Sequence, residues 1–170
     1  MLAIHRATVA GDLAALRAAV GDPGDFPNGR PPMAIGDSLL IYAVYHAPFS
    51  MIHALLELGA DVNPAVEDGF PTVVALMSTA RQDKHEVLHL LLAASADVDA
   101  RGVNDQTALH WAVANDDLRA AELLLSYGAD PELKTRIDDC SSPLEDAERT
   151  AFLHDRPAMA ALLRSHARRS

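Results

Sequence analysis

The sequence predicts an all-α fold: a solenoid of about five repeated helix-turn-helix units forming one domain over residues 1–170. Three observations carry that reading. An ending recurs, as Leu55-Leu56-Glu57-Leu58-Gly59-Ala60-Asp61-Val62-Asn63, as Leu91-Leu92-Ala93-Ala94-Ser95-Ala96-Asp97-Val98-Asp99, and as Leu124-Leu125-Ser126-Tyr127-Gly128-Ala129-Asp130-Pro131. A second phrase precedes each ending and starts at 38, 71, 107 and 142, so the copies are 33, 36 and 35 residues apart. Between the two phrases, apolar residues fall at three- and four-residue spacing, the period of a helix buried along one stripe. Two phrases in the same order at the same interval mark a repeat protein, in which one unit hides its apolar face against the next.

The first helix of each unit opens on the second phrase. Ser142 is placed to cap, Pro143 suits the first helical position, and Glu145 completes a capping box. Thr107 is placed to cap in the same way ahead of Leu109 and Ala112, and the small Ala43 and Ala112 allow neighbouring helices to approach. The second helices carry Ile52, Leu55 and Leu56 in one copy and Leu88, Leu91 and Leu92 in the next. Gly59 and Gly128 follow their leucine pairs where a helix C-cap needs a left-handed residue, and Ser95 stands in for glycine in the middle copy. The repeats span approximately 1–22, 34–66, 67–102, 103–137 and 138–167, with a Gly/Pro-rich connection over 23–33. The end units are degraded, as befits faces that meet water. Three additional residues fall between the helices of the third unit, around 78–84, and a shorter extension precedes the last unit at 136–141. Such additions emerge as surface loops.

Composition narrows the function. Hydrophobic residues make up 49% and charged residues 22% of the 170, a globular mixture. Twenty-four acids against fourteen Lys and Arg leave a formal charge of −10, which disfavours an extended nucleic-acid surface. Cys140 is the only cysteine, so no intrachain disulfide and no CxxC motif exists. The opening residues lack a secretory signal pattern, and no apolar run is long enough to span a membrane. Together these point to the cytoplasm and to no membrane partner.

The phrase Thr107-Ala108-Leu109-His110-Trp111-Ala112, with Ser142-Pro143-Leu144-Glu145-Asp146-Ala147 and Ser38-Leu39-Leu40-Ile41-Tyr42-Ala43 behind it, resembles the ankyrin repeat. The LLxxGAD endings match as well, and the likeness covers the chain, thinning over 1–33 and 148–170. The resemblance implies an L-shaped repeat of two helices and a projecting turn. Turn tips and first helices would line a concave groove that binds another protein, without catalysis. By register, the tips include Asp37, Glu67, Asp68, Phe70, Asn104, Gln106, Asp138 and Asp139. The groove-facing positions include Tyr45, His46, Asn115 and Arg149, and Trp111, expected to lie partly buried between first helices, is a further partner-binding candidate. In the family the phrase's histidine ties adjacent turns together; here it survives only as His5 and His110, with Ile41, Val74 and Glu145 in its place elsewhere.

One motif competes with that reading. His85-Glu86-Val87-Leu88-His89 is a literal H-E-x-x-H, whose histidines share a helix face and can ligate zinc while the glutamate activates water. A catalytic zinc still needs a third ligand and a cleft, and the repeat register puts this helix on the outer side. Asp61, Asp97 and Asp130 recur once per repeat, which suits turn formation better than acid-base pairing. Cys140 sits beside Asp138 and Asp139, whose charges oppose a reactive thiolate. No phosphate-binding glycine loop or nucleotide fingerprint is present, and no cofactor is implied. The expectation is therefore a non-catalytic module that binds a protein or peptide with a neutral-to-basic surface. A zinc-dependent hydrolase using His85, Glu86 and His89, or a homo-oligomeric structural element, stands as the alternative.

Overall fold

The computed structural model describes residues 2–21, 24–29, 38–65, 70–136, 141–154 and 157–167. Among these the chain is all-helical, and it divides into two compact units, Met1–Ala96 and Asp97–Ser170. The first unit holds α1 (Leu2–Ala10), α2 (Leu13–Ala19), α3 (Leu39–His46), α4 (Phe49–Glu57), α5 (Thr72–Met77) and α6 (Lys84–Ala93). The second holds a 3-10 turn at Val103–Asp105, then α7 (Ala108–Ala114), α8 (Leu118–Ser126), α9 (Pro143–His154) and α10 (Pro157–Ala167).

In the first unit the first helices of successive repeats, α1, α3 and α5, pack side by side, and the second helices α4 and α6 pack on each other. In the second unit α7 packs on α9 and α8 on α10, which is the same two-layer scheme. The stripes read from the sequence form the core except at Leu56, which is half-buried. Ile52, Leu55, Leu88, Leu91, Leu109 and Leu124 are fully buried, and truncating one such side chain to alanine costs about 2–5 kcal/mol.

Local chemistry starts and stops the helices where the phrases place the signals. Asp12 accepts from the Ala15 amide at 2.9 Å, Ser38 from the Leu40 amide at 3.2 Å, and Asp117 from the Ala120 amide at 3.0 Å. The predicted capping box at Ser142 forms, with the Ser142 amide donating to Glu145 at 2.8 Å and the Glu145 amide to the Ser142 hydroxyl at 3.3 Å. Thr107 forms one too, with His110 in the place of the usual Glu. The C-caps repeat as closely. Gly59, Ser95 and Gly128 lie at φ 82°, 68° and 88°, and the alanine after each donates to the leucine carbonyl five residues back. These bonds, at 2.9, 3.0 and 3.1 Å, satisfy carbonyls that a helix end would leave unpaired. The recurring aspartates do what turn formation requires: Asp61, Asp97 and Asp130 each accept from the amide two residues on, at 2.9, 3.1 and 2.8 Å.

Candidate partner-binding surfaces

In the first unit the last turn of α3 ends on Tyr45 and His46, both exposed, and the burial of Leu39–Val44 on the same helix dictates that outcome. The Ser78 hydroxyl donates to the Ala75 carbonyl at 2.7 Å, which leaves its oxygen to accept the Tyr45 hydroxyl, 3.5 Å away. His46 lies 4.6 Å, centroid to centroid, from the buried Tyr42 ring and 6.2 Å from Tyr45. His5 of α1 completes the group, 5.3 Å from His46, with its Nδ1 2.8 Å from the Tyr42 hydroxyl. Burial, and then the neighbouring His5, hold the His46 imidazole below its ordinary pKa, favouring the neutral ring. His5 therefore bonds a tyrosine, whereas the resemblance implied a link between turns. Tyr42 is what redirects it, because its hydroxyl stands within reach of the ring.

The extra residues between α5 and α6 have a structural use. Arg81, whose side chain is 12% exposed, donates from one nitrogen to the carbonyls of Val44 and Ala47 at 3.1 and 2.7 Å. Its other two nitrogens form a two-pronged pair with Asp83 at 2.8 and 2.7 Å. The two carbonyls bracket Tyr45 and His46, so the inserted loop braces the helix end that presents them. Asp83 stands at the N-cap of α6 without making the usual side-chain cap bond, its carboxylate engaged by Arg81, whose hydrogen bonds hold it below the ordinary carboxylate range.

In the second unit the turn at 102–106 is closed by the Gly102 amide donating to the Gln106 carbonyl at 2.9 Å. Asn104 and Asp105 both adopt positive φ, 62° and 60°, which pushes Asn104 out into solvent. Arg136 joins this tip, with its amide donating to the Asn104 carbonyl at 3.2 Å and its guanidinium gripping Asp105 at 2.6 and 2.9 Å. That pairing holds the Asp105 carboxyl below its usual range. A depression of about 350 Å3 lies between Gly102, Asn104, Asp105 and Arg136. Behind the tip, His110 ties turns as expected: its Nδ1 accepts from the Thr107 amide at 3.1 Å and its Nε2 lies 3.3 Å from the Ser141 carbonyl. That geometry makes Nε2 the protonated nitrogen, and burial keeps the ring neutral.

The remaining candidates are scattered. Gln106 and Phe70 are half-buried, as is Trp111, whose carbonyl accepts the Asn115 side-chain amide at 2.8 Å. Arg149 is exposed and pairs with Asp146 at 2.7 Å. Asp37, Glu67, Asp68, Asp138 and Asp139, with Cys140, lie outside the described residues. His85, Glu86 and His89 sit together on α6, with Glu86 and His89 exposed. Among the described residues no group of three or more His, Cys, Asp or Glu is placed to hold a metal ion. Likewise, no helix among them is long and apolar enough to cross a membrane.

Sequence reasoning missed a ladder of side chains that links successive turns. Asn28 donates to the Gly59 carbonyl at 2.9 Å and accepts from the Asp61 amide at 2.7 Å. Asn63 donates to the Ser95 carbonyl at 2.9 Å, and Asp99 accepts from the Asp130 amide at 3.0 Å. The signal was present in the endings: Asn63 and Asp99 each stand two residues after the turn aspartate.

Residues 67–135 match the family model for ankyrin repeats (3 copies). By this match, residues 67–135 are ankyrin repeats. It is 36% identical over 104 residues to an ankyrin repeat-containing protein of Treponema pallidum (strain Nichols), covering 61% of this chain and 34% of that one. It is 35% identical over 101 residues to the ankyrin repeat and KH domain-containing protein mask-1 of Caenorhabditis elegans, covering 59% of this chain and 4% of that one. With the palmitoyltransferase Hip14 of Drosophila melanogaster the identity is 31% over 103 residues, covering 60% of this chain and 16% of that one. The chain thus spans 34% or less of the length of these three relatives. Ankyrin repeats are protein-interaction modules and are generally non-catalytic.

Proposed function

We propose that this protein binds a protein or peptide partner through the exposed faces of its first helices and its turn tips, and that it does no chemistry on that partner. The observation that carries the reading is the end of α3, where Tyr45 and His46 are presented to solvent on a helix otherwise buried and braced by Arg81. Aromatic side chains on a rigid support supply contact area at little entropic cost, and they dominate binding hot spots. The exposed Asn104 tip and Asn115 add polar contacts in the second unit. A formal charge of −10 favours a neutral-to-basic partner, mainly by steering encounter. It equally disfavours nucleic acid. The reading treats residues 1–170 as one module of about five repeats working in the cytoplasm.

The test is affinity capture from lysate of the source cells with mass spectrometry, comparing wild type with a Tyr45→Ala, His46→Ala double variant whose fold is verified by circular dichroism. A protein retained by wild type and lost by the folded variant is the expected result. Equal recovery by both overturns the assignment to the α3 surface. For the hydrolase alternative, metal analysis of untagged protein decides: stoichiometric zinc lost in His85→Ala would displace the binding reading.

A further inference from the structure

The rings at the end of α3 do more than offer apolar area. Tyr42 forms a buried floor, and over it His5, His46 and Tyr45 make an exposed arc with successive centroid separations of 5.3 and 6.2 Å. The rings are inclined to one another, at 79° for His5 and His46 and 45° for Tyr45 and His46, so the arc presents ring faces and edges in several directions. The Tyr45 hydroxyl lies 3.5 Å from the Ser78 hydroxyl, and the residue is 39% exposed. Aromatic faces carry negative potential and attract cations. A neutral imidazole adds an acceptor nitrogen, which matches the N–H groups of a guanidinium.

The charge balance of this unit agrees. Residues 1–96 carry ten Asp and Glu against five Lys and Arg. Of those five, Arg81 is committed to Asp83 and to backbone carbonyls, and Arg17 lies over the Phe26 ring at 5.5 Å. We propose that the His5–His46–Tyr45 arc is a recognition site for a cationic side chain, arginine above lysine, on the partner. The proposal rests on the partner-binding reading above and names the chemistry recognised there.

Arginine is preferred because its planar guanidinium stacks on a ring while its edge donates hydrogen bonds, and it sheds water more readily than an ammonium. Acidification works against the site. Protonating His46 places positive charge where the partner's cation must sit. The facing elements do little to offset this. Besides His5, α1 carries Arg6; α5 has no ionisable side chain; on α4, His53 is paired with Glu57 at 3.4 Å.

The test titrates three short peptides, alternating glycine with arginine, lysine or glutamate, into the full chain at low salt and neutral pH, with aromatic-ring NMR as readout. The arginine peptide is expected to shift the Tyr45, His46 and His5 ring signals saturably, the lysine peptide more weakly, and the glutamate peptide not at all. Tyr45→Phe keeps the ring and retains binding, whereas Tyr45→Leu keeps apolar bulk and weakens it by about threefold or more. Lowering the pH to roughly 5 weakens it further. Ring signals that move equally for the glutamate peptide, or equal binding by Tyr45→Leu and wild type, overturn the proposal. Partner capture separates it from the reading beneath. Capture lost in Tyr45→Leu while the arginine peptide leaves the rings silent overturns the cation site and keeps partner binding at α3. Ring shifts with undiminished capture support the cation site and overturn partner binding at α3.

Discussion

Replacing Arg81 by methionine isolates what the inserted loop contributes. Methionine keeps the length and apolar stem of the side chain and removes all four polar contacts. Two of those are charge-assisted bonds to the carbonyls of Val44 and Ala47, residues that are 0% and 4% exposed, where water replaces a lost donor poorly. Bonds involving a charged group contribute about 1.5–3 kcal/mol each, and a freed long side chain returns about 2 kcal/mol of rotamer entropy. The net loss is about 1–4 kcal/mol. For a chain of this length each kcal/mol lowers Tm by about 2–4 °C, so the midpoint should fall by roughly 2–16 °C. Far-UV circular dichroism melts at neutral pH measure it. Arg81→Lys retains charge but cannot reach two carbonyls and a carboxylate together, so it should recover less than half of the loss. Asp83→Asn removes only the ion pair and should cost less than Arg81→Met. A methionine variant melting within about 1 °C of wild type would refute the bracing argument. So would an asparagine variant that loses as much, because the stabilisation would then lie in the ion pair and not at the helix end.

Other consequences follow from single contacts. Ser95→Gly should stabilise the chain by about 0.5–1 kcal/mol in urea denaturation, because Ser95 sits at φ 68° where glycine meets no penalty from a Cβ. Asn28→Ala removes both bonds to the next turn and should cost about 1–2 kcal/mol, with faster hydrogen exchange at the Asp61 amide. Burial raises the Asp99 carboxyl above its ordinary range, and its neighbours Asp130 and Asp97 add to that. Its charge therefore opposes folding at neutral pH, and that cost disappears as pH falls below the ordinary carboxylate range. Asp99→Asn keeps the acceptor for the Asp130 amide, so it should raise Tm near neutrality and lose that advantage in acid. His110 behaves oppositely. Its pKa is lowered by burial, so the unfolded chain binds the proton first and stability falls as pH drops below the ordinary histidine value. His110→Gln should flatten that part of the profile in melts over the same range.

What the sequence disclosed divides by the distance between interacting residues. Caps and turns are local chemistry, so the phrases that carry them are legible: Ser142 with Glu145, Gly59 and Gly128 after their leucine pairs, and the aspartates bonding two residues ahead. The buried stripes are legible for the same reason, because helical period alone decides which residues share a face. The bracing of α3 is not local. Arg81 reaches carbonyls 37 and 34 residues earlier, and nothing in the composition of the 78–84 insertion distinguishes a brace from tolerated drift. Asn28 escaped for a related reason: it lies in a Gly/Pro-rich connection with no recognisable phrase, and only its partner 31 residues on shows it occupying a ladder position. The outward projection of Tyr45 and His46 is legible because the repeat register sets it, and both are exposed. His5 was not grouped with them, since register assigned it to turn bonding and the Tyr42 hydroxyl claimed it instead. The residue that most changes the chemistry of this surface is thus one whose role depends on a tyrosine 37 positions away. Repeat register locates a surface; the departures from the repeat decide what it can recognise.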